Sequence, residues 1–286
     1  MTTLSGHPAA PVQAETVSPR WRPPASWRQR ELSRRTKWIL RIAFFVFIIV
    51  AWQIYAGTVS RALLAQPSDI LVSFFRLYFV KPVMVEALLT TFLALLLGLG
   101  LAILLGVLIG IGMGMSRRFE WIVGPYVTFL FSIPTIALIP LLVIWLGIDY
   151  QLRVFLVVIS AIFPVIINTA IGIRSTDREL VETAISFNAN TWRTLWTVRI
   201  PASLPFIFAG ISVALSLSLA GVVVAEMTAT ITGIGGLIVT YANFFQTANL
   251  FVPILTLMAG SVLLTVALGA IEKRVMPWQT TARRRS

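Results

Sequence analysis

The chain has 286 residues, of which 57% are hydrophobic and only 12% are charged, whereas soluble globular domains carry about 25% charged residues. Together with a mean hydropathy of +0.88, this composition excludes an ordinary water-soluble protein. The chain has no Cys and one His, which excludes disulfides, thiolate catalysis, Cys-ligated or His-cluster metal sites and a Ser-His-Asp triad. The net charge of +12 therefore has to be explained by where the basic residues fall.

Six uncharged or nearly uncharged segments are long enough to cross a bilayer, which takes about 20 apolar residues in a helix. They are Trp38 to Gly57, Ala87 to Gly114, Ile122 to Leu146, Val154 to Ile173, Phe206 to Ala225 and Leu250 to Ile271. We therefore predict an all-α polytopic membrane protein with six transmembrane helices.

The basic residues predict the orientation, because positively charged short loops are retained in the cytoplasm. With both termini inside, 19 of the 23 Lys and Arg residues lie on the inner side. This distribution explains the net charge by membrane topology and argues against a nucleic-acid role. Residues 1–37 are rich in Pro and Arg and have no apolar run, so we predict a disordered cytoplasmic tail followed by an uncleaved first helix within 38–63.

A short outer helix is predicted between the first two spans. Ser68 is a candidate N-cap, and Leu71, Phe74, Phe75 and Tyr78 recur at helical spacing. The segment either lies in the membrane interface or forms an elbow that packs against the bundle, and we favour the packed elbow.

Small residues follow one face of the second span at intervals of four, which lets another helix backbone approach closely. They are Gly98, Ala102, Gly106, Gly110 and Gly114. Packing within the subunit is the favoured interpretation, and a subunit interface is the alternative.

The third and fourth spans are predicted to be interrupted helices. The third contains Pro134 and the fourth contains Pro164 and Asn168, and backbone carbonyls freed by proline cannot face lipid. Glu226 directly follows the end of the fifth span, where an ionisable group is a functional candidate. We expect Pro134, Pro164, Asn168 and Glu226 to line a translocation path, with Asn168 and Glu226 among its polar groups, although Glu226 could equally be a structurally paired carboxylate.

The inner loop 174–205 carries a structured motif. Thr176 and Glu179 have the spacing of a capping box that opens a helix, and Asn188 can end that helix in the left-handed conformation. Asn190 is a candidate cap for a second short helix, which would show Trp192, Leu195 and Trp196 on one face. Such a face suits a docking surface or an interfacial anchor.

The same loop resembles the "EAA" loop of ATP-binding-cassette (ABC) importer permeases, in particular their sulfonate, taurine and nitrate subgroup. The resemblance rests on Glu182-Thr183-Ala184, on Asn188 six positions after Glu182, and on Ile200-Pro201 at the end of the loop. Thr183 replaces the first Ala of the family pattern, and Asn188 replaces its Gly. Further likeness, from Gln66-Pro67-Ser68-Asp69 to Val224-Ala225-Glu226-Met227, extends over most of the chain.

The resemblance implies a type I ABC importer permease fold, with an ABC transmembrane domain over 64–274 and a basic cytoplasmic tail over 275–286. It implies a bacterial inner membrane location, a small solute such as a sulfonate, taurine or nitrate, an extracytoplasmic solute-binding protein and a second permease copy, for which we expect a homodimer. It assigns ATPase coupling to Glu182, Thr183, Ala184, Asn188, Trp192, Ile200 and Pro201.

ATP hydrolysis is expected on a separate ABC ATPase that holds ATP and Mg. A P-loop needs a Gly-Lys pair, and the three lysines of this chain follow Thr36, Val80 and Glu272. We therefore expect no cofactor, no metal and no catalytic residue in this chain. An ion-coupled secondary transporter is the runner-up, and an intramembrane enzyme is third.

Overall fold

The computed structural model describes residues 33–230 and 232–278, and the regular elements of these residues are all helical. The helices, in chain order, are α1 Arg34–Thr58, α2 Pro67–Phe75, α3 Val83–Met115, α4 Arg117–Phe131, α5 Thr135–Leu146, α6 Tyr150–Arg174, α7 Arg178–Ser186, α8 Thr191–Thr194, α9 Ile200–Ala225, α10 Gly233–Asn243 and α11 Thr247–Val275. Three short π-helical turns, Arg76–Val80, Leu195–Arg199 and Glu226–Thr230, extend α2, α8 and α9.

Six membrane spans are confirmed if α4 and α5 are counted as one. Five helical segments are long and apolar enough to cross a membrane, and α4 and α5 together make a sixth that is bent by 95°. The longest segment runs from Thr191 to Ala229, well before the predicted start at Phe206. Spans delimited by uncharged segments underestimated the lengths of these helices, because a helix continues through charged residues wherever its backbone hydrogen bonds are satisfied.

The chain divides into two compact units, Met1–Val50 and Ala51–Ser286, with the boundary inside α1. The first unit contains α1 from Arg34 to Val50, about two thirds of this helix. Because α1 begins at Arg34, it includes the last four residues of the predicted tail. The rest of that tail lies outside the described residues. At the other end, Met276 is buried, so packing continues past residue 274, and the tail from 279 onward is not described.

The core of the second unit is built from α3, α6 and α9. Its buried cluster combines Ala94, Leu95 and Leu99 of α3 with side chains of α6 and α9. The glycine stripe of α3 faces α6: a Cβ added at Gly98 would lie 2.5 Å from Val157 Cγ1, and one added at Gly110 would lie 2.6 Å from Thr169 Cβ. The favoured prediction of packing within the subunit is confirmed.

The third span is broken, as predicted, at Pro134. Helix α4 ends at Phe131, and Pro134 adopts an extended conformation (φ −60°, ψ 111°) immediately before α5. The fourth span is not interrupted, because α6 continues through Pro164 to Arg174. A proline removes one hydrogen bond from a helix, and tight packing against α3 and α9 keeps α6 continuous.

The short outer helix α2 forms the packed elbow. Its buried side chains are Ile70 and Ser73, and Leu77 of the following turn packs with Met84 and Val252. The proposed cap at Ser68 is wrong, because Gln66 occupies the N-cap position and Ser68 Oγ instead accepts a hydrogen bond from Gln53 Nε2 at 3.1 Å.

Candidate functional site

Helix α7 opens the loop between α6 and α9, and its cap is Asp177. The Asp177 carboxylate accepts the amide N–H of Glu179 at 2.9 Å. The predicted capping box on Thr176 is wrong, because the Thr176 hydroxyl donates to the carbonyl of Ile173 at 3.0 Å and so closes the end of α6.

The turn after α7 confirms two predictions. Asn188 has a φ of 57°, the left-handed conformation that ends a helix, and the next amide, of Ala189, donates to the carbonyl of Ala184 at 3.0 Å. Asn190 caps α8, since its side chain accepts the N–H of Arg193 at 2.8 Å. The loop therefore has a defined turn between two capped helices.

Large apolar side chains stand exposed on this loop. Phe187 is 81% exposed, and Trp192 and Trp196 are 66% and 55% exposed, with ring centroids 5.8 Å apart. The prediction that Leu195 shares their face is wrong, because Leu195 is buried where the Leu195–Arg199 turn packs against α7 and α9. Exposed aromatic residues on an otherwise polar loop are typical of a protein-docking surface.

Glu182 lies on the exposed side of α7, where its Oε1 is 2.7 Å from Arg178 Nε. Beside it, Thr183 and Ala184 line an apolar groove of about 510 Å³. Pro201 of α9 and Trp278 close the groove. The structure thus brings Thr183, Ala184 and Pro201 together, and it leaves the Glu182 carboxylate on the surface.

A second candidate site is a pocket of about 290 Å³ at the α4–α5 break, between α5, α6 and α9. Its lining residues are Leu130, Phe131, Ile133, Pro134, Thr135, Ile136, Ile139, Leu156, Ile159, Ser160, Phe163, Leu217, Ala220, Gly221 and Val224. Of the four residues predicted for a translocation path, Pro134 lines this pocket. The bend at Pro134 creates the space, because the axis of α5 is turned by 95° from that of α4.

The other three predicted path residues lie elsewhere. Pro164 is buried in α6, and the carboxamide of Asn168 donates to the Pro164 carbonyl at 2.9 Å. A Cβ added at Gly210 of α9 would lie 2.8 Å from Asn168 Cβ. The Asn168 side chain is thus hydrogen-bonded within its own helix and packs closely against α9.

Glu226, at the start of the turn that extends α9, is fully buried in a polar cluster. Both of its carboxylate oxygens lie 2.9 Å from Thr91 Oγ1, and Oε2 accepts the N–H of Gly235 at 2.9 Å. Arg153 Nη1 is 3.5 Å from Oε1. The cluster therefore joins α3, α6, the end of α9 and the start of α10.

The glycines of α10 let this cluster form. Gly233 has a φ of 70°, and a Cβ added there would overlap the Glu226 carboxylate. The N–H of the next residue, Ile234, donates to Thr91 Oγ1 at 2.9 Å. The chain after Glu226 is helical from Gly233 onward, and the first turn of this helix supplies the Gly235 N–H to the carboxylate and the Ile234 N–H to Thr91.

The sequence reading missed Arg153 and Thr91. Arg153 is one of only four basic residues assigned to the outer side, yet its side chain is only 8% exposed and its guanidinium lies 5.4 Å from the Tyr150 ring. Arg153 just before the fourth predicted span and Glu226 just after the fifth both fall on the predicted outer side, and these two opposite charges were the available signal. Thr91 offered none, because hydroxyls are common in membrane helices.

Comparison with known proteins agrees with the resemblance seen in the loop. The family model described as "Binding-protein-dependent transport system inner membrane component" matches residues 102–277. The riboflavin transport system permease protein of Chloroflexus aurantiacus is 33% identical over 165 residues, which are 58% of this chain and 62% of that protein.

Two further relatives match over greater lengths. The putative aliphatic sulfonates transport permease protein of Escherichia coli is 34% identical over 247 residues, 85% of this chain and 94% of that protein. The taurine transport system permease protein of Escherichia coli is 26% identical over 260 residues, 86% and 94% of the two chains.

Proposed function

The chain belongs to the family of inner membrane components of binding-protein-dependent transport systems, and from this premise we propose that it forms half of the translocation path of an ATP-driven importer. Family membership supports an ABC permease over the secondary transporter and the intramembrane enzyme. The transported solute is a small organic or inorganic anion such as a sulfonate, taurine or nitrate, in line with the names of several relatives.

Three partners complete the proposed importer. A second copy of this chain supplies the other half of the path, an extracytoplasmic binding protein delivers the solute, and ABC ATPase subunits hold ATP and Mg. The absence of any Gly-Lys pair from the sequence supports a separate ATPase. The protein lies in the bacterial inner membrane with both termini in the cytoplasm, as the 19 inner Lys and Arg residues favour.

The observation that carries the proposal is the surface of α7 and α8. It presents Glu182 and the exposed rings of Phe187, Trp192 and Trp196 beside the groove at Thr183 and Ala184. The three apolar rings would be costly to leave in water unless a partner covers them. We assign the ATPase contact to this surface, with Asn188 setting its turn and Ile200 and Pro201 starting the span behind it.

Helix α9 offers a direct mechanical link from that surface to the pocket. The helical segment Thr191–Ala229 has 39 residues and is therefore about 58 Å long. It begins in the docking loop, lines the pocket through Leu217 and Gly221, and reaches the Glu226 cluster. Closure of the ATPase subunits would tilt this rod and so change the access to the pocket from the two sides of the membrane.

The test is reconstitution of the purified permease with its co-encoded ATPase in lipid nanodiscs. We expect no ATP hydrolysis by the permease alone and hydrolysis by the complex that rises when a loaded binding protein is added. Glu182→Ala should reduce ATPase retention during purification, whereas Glu179→Ala, on the same helix, should retain it. ATP hydrolysis by the permease alone, or full retention and transport by Glu182→Ala, would contradict the proposal.

A further inference from the structure

The pocket at the α4–α5 break holds a set of unused hydrogen-bond donors. Ser160 is 8% exposed and lines the pocket, and no hydrogen bond of its hydroxyl to another described residue is found. Buried hydroxyls are nearly always hydrogen-bonded. The Ser160 hydroxyl is therefore a hydrogen-bond donor that a solute in the pocket can use.

The start of α5 supplies further donors at the same pocket. Thr135 and Ile136 are the first two residues of this 12-residue helix and both line the pocket. Pro134 occupies the N-cap position without a side chain that could accept their amide N–H groups. Free N–H groups and the positive end of the helix dipole favour an oxyanion at this position.

The rest of the lining is apolar and carries no charge. Phe131 and Phe163 place their rings 6.0 Å apart, and Leu217 and Ile139 complete the apolar wall. The hydroxyls of Thr135 and Ser160 are the only polar side-chain groups among the described lining residues. A carboxylate that could neutralise an ammonium group is missing from this lining.

From these observations we propose that the pocket is a solute-binding site for an organic oxyanion with an apolar body, such as a sulfonate. The oxygens of the solute accept hydrogen bonds from Ser160 Oγ and from the first amides of α5, and its hydrocarbon part lies against the Phe131 and Phe163 rings. The proposal rests on the proposed function and narrows its solute class. A zwitterion such as taurine would bury an unpaired ammonium, and nitrate lacks the apolar body.

The absence of a cationic side chain suits a transport site. Neutral donors hold an anion less tightly than an arginine does, and a solute on a translocation path has to leave as well as enter. Gly221 keeps the site open, because a Cβ added there would lie 2.7 Å from Ser160 Oγ.

The test is equilibrium dialysis of ³⁵S-labelled butane-1-sulfonate against the permease–ATPase complex in nanodiscs. We expect saturable binding that unlabelled butane-1-sulfonate displaces at least tenfold more effectively than taurine, nitrate or uncharged butanamide. Ser160→Ala should weaken binding about tenfold or more, since a hydrogen bond to a charged group is lost. Gly221→Ala should weaken binding to a similar extent, because its Cβ would crowd the Ser160 hydroxyl. Gly100→Ala is the matched control, because a Cβ at Gly100 meets no atom within 4 Å.

The outcomes separate the two proposals. If the complex assembles and hydrolyses ATP, but the Ser160 and Gly221 variants bind butane-1-sulfonate like wild type, this site is wrong and the importer function stands. Equal displacement by taurine, or tighter binding of butanamide, would overturn the assigned solute class. If ATP hydrolysis does not depend on the partner ATPase, the proposed function itself fails.

Discussion

Two glutamates of this chain illustrate how the surroundings decide what a carboxylate does. Glu226 is fully buried and is held by Thr91, by the N–H of Gly235 and by Arg153. The Glu182 side chain is 60% exposed, and its one ion pair is with Arg178, which is 91% exposed. Both residues stand out in the sequence, yet one joins four parts of the bundle and the other lies on a surface helix.

The two environments determine which measurement each residue should affect. A buried ion pair contributes to one specific packing arrangement, and loss of one partner leaves an uncompensated charge. An exposed pair in water is nearly neutral in energy, so its carboxylate is free to exchange partners. Glu226 should therefore control stability, and Glu182 should control association.

The largest effect is expected from Glu226→Ala. This change leaves Arg153 buried without its counter-charge and should lower the free energy of unfolding by about 3–5 kcal/mol. Thermal unfolding of the purified permease in detergent measures it. The control is Glu272→Ala in the last turn of α11, which should shift stability by about 0.5 kcal/mol or less. Equal unfolding temperatures for the two variants would contradict the structural role of Glu226.

Gly235→Ala tests whether the cluster depends on the close approach of α10. The added Cβ would lie 2.5 Å from the Val223 carbonyl oxygen and 2.7 Å from Glu226 Cβ, and neither backbone can give way easily. We expect a loss of about 1–3 kcal/mol. Gly100→Ala, which meets open space, should cause no loss in the same unfolding assay, so comparable losses in both variants would argue against the cluster.

Thr91→Val keeps the shape of the side chain and removes the hydroxyl that contacts both Glu226 oxygens and the N–H of Ile234. An unsatisfied buried partner costs about 1–3 kcal/mol. Its neighbour Thr90 is only partly buried and its hydroxyl donates to the Glu86 carbonyl, so Thr90→Val should be near neutral. A double-mutant cycle with Glu226→Gln should show coupling between positions 91 and 226; strict additivity would rule out the direct contact.

The smallest stability effect is expected at the exposed pair. Glu182→Ala and Arg178→Ala should each change the free energy of unfolding by about 0.5 kcal/mol or less, as for other pairs four residues apart on a helix. The same unfolding assay provides the measurement. A loss of several kcal/mol for Glu182→Ala would remove the contrast with Glu226 and would make Glu182 a structural residue.

Local signals predicted the parts of this molecule that depend on neighbours along the chain. The six apolar segments, the break at Pro134, the left-handed turn at Asn188 and the cap at Asn190 all follow from hydrophobicity and from backbone preferences of single residues. The error at the start of α7 was also local, because both Thr176 and Asp177 can cap a helix. The Thr176 hydroxyl donates to a carbonyl at the end of α6, and Asp177 therefore caps α7.

The class of protein, its spans and the loop motif that indicated the family were predictable, because they depend on composition and short spacings. Helix packing was needed to show that the α3 glycines face α6, that Glu226 meets Thr91 and Arg153, and that the α4–α5 bend opens a pocket at Ser160. Those contacts join residues up to 135 positions apart. Their partners are chosen by which helices pack together, and sequence periodicity within one helix carries no information about that choice.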